Sequence, residues 1–146
     1  MSEISKGIER LMALDDAQKR LIICIFAKLA SVDGHFDQYE KQFIYDVAMN
    51  FGFTDMQTDE FLQSIDEEQI VKDVQQIQNR SVALEIVKEI CLLSHIDKKL
   101  SDEETFFIGK IGLAMGIELE KIEEISNWVV DYLTWKEQGE IIFEEA

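Results

Sequence analysis

Residues 22–53, IICIFAKLASVDGHFDQYEKQFIYDVAMNFGF, lie over residues 86–117, IVKEICLLSHIDKKLSDEETFFIGKIGLAMGI, at an offset of 64. Identical pairs are Ile22/Ile86, Leu29/Leu93, Asp33/Asp97, Glu40/Glu104, Phe43/Phe107, Ile44/Ile108 and Gly52/Gly116. Apolar character recurs at further positions, Phe26/Ile90, Val32/Ile96, Val47/Ile111 and Phe51/Met115 among them. A helical unit written twice is the simplest source of such a pattern. Each copy predicts an amphipathic helix (about 16–32, then 82–96), a short turn, and an exit helix (about 38–51, then 102–115). The exit helices are expected to stop at Gly52 and Gly116, where glycine suits a left-handed C-cap.

A third helix is predicted in each copy, over TDMQTDEFLQSI and over ELEKIEEISNWVVDYLTW. DEEQIVKDVQQIQ reads as a connecting helix closed by Asn79, with Ser81 as the N-cap of the next. An N-terminal helix is expected over about 2–13, and the tail beyond Gly139 is expected to fray. Proline is absent and only seven glycines occur, which agrees with an almost wholly helical chain. The prediction is an all-α, compact bundle of about eight helices forming one domain over 1–146, with internal repeats at about 16–65 and 82–136.

The net charge of −16, from 30 acids against 14 Lys and Arg, argues against nucleic acid and anionic membrane as partners. It suits a chain that attracts cations or a protein with a basic surface. The longest apolar run, LIICIFA (21–27), is far too short to span a bilayer. MSEISKGIERLMALDDAQ has scattered charges and no apolar core, so no secretory signal is expected and the cytoplasm is the expected compartment. Cys24 and Cys91 lie on apolar helical stretches and read as buried free thiols.

The two turns carry the candidate chemistry. Asp37-Gln-Tyr-Glu40 and Ser101-Asp-Glu-Glu104 fit the capping box, in which the first side chain caps the helix and the glutamate reaches back. Capping leaves Asp33 and Asp97 unexplained, since both lie four residues before the caps. An EF-hand is excluded: with Gly34 at the sixth loop position, the first and third ligands would be Leu29 and Ser31, or Leu93 and His95 in the second copy. If a pseudo-twofold relates the copies, up to four carboxylates meet on one side and repel unless a cation or proton intervenes. All-oxygen ligands favour Ca²⁺, Mg²⁺ or Mn²⁺, whereas Zn²⁺ would call on His35 or His95. A solvated acidic face or plain helix capping explains the same residues without any ion.

Paired helix–turn–helix copies with the segment Ala30-Ser-Val-Asp33-Gly34-His-Phe-Asp-Gln-Tyr-Glu40, ending near Phe51-Gly52-Phe53, resemble the TerB-like family, the all-helical domains named for tellurite resistance. The likeness covers roughly residues 16–130. It implies a duplicated helical domain, a link to tellurite and other stress, and a metal-binding acidic cluster of Asp33, Glu40, Asp97 and Glu104. The second turn departs from the pattern, with Lys98 in place of the glycine and Lys99 after it.

Catalysis is not expected, because the sequence shows no Glu-x-x-His pairs, phosphate-binding glycine loop, CxxC pair or GxSxG elbow. The alternative to a metal-binding, stress-associated domain is an acidic helical adaptor that needs no metal. The segment from 118 to the end has nine acids against two lysines, together with Trp128, Tyr132 and Trp135. Those aromatics are expected to be buried by amphipathic packing, with a docking surface as the competing reading.

Overall fold

A computed structural model describes residues 11–32, 34, 36–95 and 100–144. Seven helices occur among them: α1 (Asp16–Ser31), α2 (Gln38–Asn50), α3 (Asp55–Gln63), α4 (Glu67–Val74), α5 (Arg80–Ser94), α6 (Asp102–Ala114) and α7 (Leu119–Phe143). The described residues are all-α, as predicted. The helix expected over 2–13 falls almost entirely outside them.

Each helix but the last begins where a short polar side chain can take an orphan N–H. Asp15, Asp37, Thr54, Asp66, Asn79 and Ser101 all cap this way. Asn79 Oδ1 accepts from Val82 N–H at 3.2 Å, so α5 starts at Arg80 and Ser81 lies inside it, correcting its predicted role as N-cap. The exit helices end alike. Gly52 and Gly116 have φ of +93° and +83°, and Phe53 and Ile117 donate back to Ala48 and Gly112 carbonyls at 2.9 and 3.0 Å. Only glycine adopts this left-handed conformation at little cost.

The core is organised on α1, which packs against α2, α3, α4, α5 and α6. Ile22, Ile25, Phe26 and Leu29 on α1 are buried, together with Ile86, Ile90 and Leu93 on α5 and Phe107 and Ile111 on α6. Burying such side chains stabilises by about 1.5–3 kcal/mol each. Cys91 is buried and Cys24 half-buried, both as free thiols. Burial pushes the Cys91 thiol up to about 12, which leaves it a packing residue with no useful thiolate near neutral pH.

Two predicted boundaries are corrected. The connecting helix stops at Val74, and Gln76 and Ile77 donate to Asp73 and Val74 carbonyls in tight turns that carry Ile77 into the core. At the other end α7 runs through Gly139 to Phe143 without fraying. One helical glycine costs only about 1 kcal/mol, and Lys136, Glu137, Gln138 and Glu140 around it are good helix formers.

Candidate interaction surface

Asp33 and Asp97, half of the predicted metal set, lie outside the described residues, as does His35. Glu40 and Glu104 are buried at the third position of α2 and α6. Glu40 N–H donates to Asp37 Oδ1 at 2.8 Å, and Glu104 N–H to Ser101 Oγ at 3.1 Å. Ser101 N–H donates in return to Glu104 Oε1 at 3.0 Å, which completes the capping box. Glu104 is therefore held by its own helix terminus. His95 is the half-buried C-cap of α5. Among the described residues, no three of His, Cys, Asp and Glu are grouped so as to hold a metal ion.

A second feature lies elsewhere. α5 and α7 flank a groove of about 480 Å³. Ser81, Leu84, Glu85 and Lys88 form the α5 wall, one side of that helix at i, i+3, i+4 and i+7 spacing. Lys121, Glu124, Ile125 and Trp128 form the α7 wall. The packing of α7 on the body runs through Ile122 and Val129, which are buried, while Tyr132 and Leu133 are only partly covered.

Beyond Leu133 the helix leaves the body. Residues 134–143 are exposed apart from half-buried Gly139. Trp128, Trp135 and Ile142 recur at seven-residue spacing and are 51%, 72% and 71% exposed. Trp128 stacks on Tyr132 with ring centroids 5.7 Å apart and planes within 8°. The expectation that these aromatics are buried is thus corrected for Trp128 and Trp135, whereas Tyr132 packs half-buried against the core. Their seam is turned past the body, and no other described helix packs on its outer half. An exposed apolar strip rimmed by charge is a common feature of interaction sites on folded domains.

Next to Lys88 of the groove wall lies a buried acid that periodicity alone did not single out. Glu89 is fully buried, and among the described residues neither carboxyl oxygen has a hydrogen-bond partner. Lys88 Nζ is 3.6 Å from Glu89 Oε1 but only 2.6 Å from Glu85 Oε2, so it serves Glu85 first. Burial pushes the Glu89 carboxyl up to about 8; Lys88 opposes this and the Glu85 charge adds to it. The sequence does hold a signal: Glu89 shares a helical side with Ile86 and Leu93, three before and four after.

No helix among the described residues is long and apolar enough to cross a membrane. No family model, curated protein or solved structure matches the chain.

Proposed function

We propose that this chain is a non-enzymatic protein-interaction module whose working surface is the outer seam of α7. The observation that carries the reading is the exposure of Trp128, Trp135 and Ile142 on one side of a helix that outruns its own core. Tryptophan and tyrosine supply rigid contact area at low entropic cost, which is why they dominate binding hot spots. Leaving them in water disfavours the free chain, and a partner that covers them recovers that free energy.

A second reading keeps the TerB-like resemblance: a cytoplasmic, duplicated domain associated with stress or tellurite, binding a divalent ion through Asp33, Glu40, Asp97 and Glu104. What favours it is that the caps at Glu40 and Glu104 and the glycine stops at 52 and 116 use the same bonds at a spacing of 64. Buried carboxylates at two equivalent turns are where such an ion would be held.

One experiment separates the two. The tagged full chain is used in a pull-down in excess chelator, with wild type beside a Trp135→Ser/Ile142→Ser variant. The interaction reading predicts a defined partner retained by wild type in chelator and lost from the variant, whose melting temperature is unchanged. A partner lost on chelation from wild type transfers the function to the acidic turns. Equal retention by both proteins removes the seam from the account.

A further inference from the structure

We infer that the partner element is a single amphipathic α-helix with basic flanks, laid lengthwise along α7 with one end seated in the α5–α7 groove. This rests on the interaction reading above and assigns the kind of partner it takes.

The seam runs through Ile125, Trp128, Tyr132, Trp135, Gly139 and Ile142, steps of three, four, three, four and three. An average of 3.5 residues keeps an apolar seam facing a second helix over many turns, because two helices that supercoil gently stay in register at that period. An extended strand or an irregular loop has no such period to match. From Lys121 to Ile142 the seam is about 32 Å long at a rise of about 1.5 Å per residue, the length of a 21- or 22-residue helix.

Gly139 supplies an independent observation. A glycine inside an exposed helix lowers its stability relative to alanine by about 1 kcal/mol. Internal packing gives no reason for it, since a Cβ built there would meet nothing within 4 Å. It stands on the seam between Trp135 and Ile142, where the missing side chain leaves a notch between two large neighbours. A knob from a facing helix fits such a notch. The groove at the other end, walled by Leu84 on one helix and Ile125 and Trp128 on the other, receives the same helix where it reaches the body.

Charge selects the flanks. Residues 118–144 hold eight acids and two lysines. Glu124 and Asp131 border the seam on one side and Lys136 on the other, and Lys121 is already paired with Glu124 at 3.1 Å. A second copy of this chain would bring the same negative helix and a further −16 of net charge, so self-pairing along the seam is opposed. Lysine and arginine on the partner's flanks complement the border and speed encounter.

The test uses the full-length chain and three fluorescein-labelled 21-residue peptides, read by anisotropy at physiological salt. One has leucine at 3.5-residue spacing and Lys/Arg flanks; one scrambles that composition so that the leucines share no side; one carries glutamate flanks. The first is expected to bind one-to-one and at least tenfold more tightly than the others. Trp135→Ala, and separately Ile142→Ser, are expected to weaken it tenfold or more at unchanged melting temperature. Equal binding of the scrambled peptide overturns the inference, because net charge alone then suffices. Equal binding of the glutamate peptide overturns the assigned charge. A chain that sediments as a dimer broken by Ile142→Ser makes the occupant a second copy and overturns it as well. If none of the peptides binds while the pull-down retains its seam-dependent partner, the helix inference fails and the interaction reading stands. An empty pull-down removes both.

Discussion

Glu89→Gln is expected to stabilise the protein by about 3 kcal/mol at pH 8 and above, and to change it little near pH 4.5. The sign follows from linkage. In the unfolded chain this carboxyl ionises near its ordinary value of 4.5, whereas in the folded chain burial holds its proton up to about 8. Between those values the folded state binds one proton more, so the stability it contributes is complete at low pH and lost as pH rises through the window. Every tenfold weakening of the carboxyl's ionisation on folding corresponds to about 1.4 kcal/mol, and burying an amide in place of an acid takes back part of the total. Lys88 keeps its closer partner, Glu85, in the variant. Urea unfolding between pH 4.5 and 9 checks this: the wild-type curve should fall away from the variant's as pH rises. Parallel curves would mean that Glu89 ionises freely in the folded state.

Gly112→Val is expected to cost about 3 kcal/mol by overpacking the contact between α6 and α7. A Cβ at 112 would lie 2.5 Å from Ile122 Cδ1 and 2.9 Å from its Cγ1, with Val87 Cγ2 at 3.7 Å. Ile122 is buried and branched at Cβ, so it has few rotamers into which to retreat. The variant therefore pushes α7 away from the body at the point that anchors it. Ile122→Ala alone removes core packing and is expected to cost about 2–5 kcal/mol. Combined, the two substitutions fill each other's space, and the pair should cost at least about 1 kcal/mol less than the sum. Denaturant melts of the four proteins measure that coupling; strict additivity would place Gly112 away from Ile122.

Glu89 and Gly112 both depend on tertiary neighbours, and that is where sequence reading stops. Helix ends are legible because they are set by local chemistry: Asp37 and Ser101 at the starts, Gly52 and Gly116 at the stops. The connecting helix is shorter than its sequence suggests because DVQQIQ contains no breaker. What ends it at Val74 is the burial of Ile77, a tertiary effect. Gly139 looks like a stop by the same logic that succeeds at Gly52, yet it has no left-handed turn to serve and the helix passes through it. Periodicity finds the aromatic side of α7 but not what covers it, since a helical wheel shows a side and never its neighbours. Glu89 escapes notice because charged residue types are ordinarily solvated, although its spacing with Ile86 and Leu93 places it inside. The candidate metal set is legible only as sequence; among the described residues, Glu104 takes part in the capping box of its own helix.

The most direct test of the seam as a working interface is site-specific photo-crosslinking in intact cells. A benzophenone amino acid is placed at position 135 and, as a control, at Tyr39, which is equally open on α2 at 81% exposure. A working interface yields a discrete adduct from position 135, heavier than the 16.9 kDa chain by the mass of a different protein, and none from position 39. The same faint smear from both positions would contradict it, leaving Trp135 an exposed tryptophan with nothing to bind.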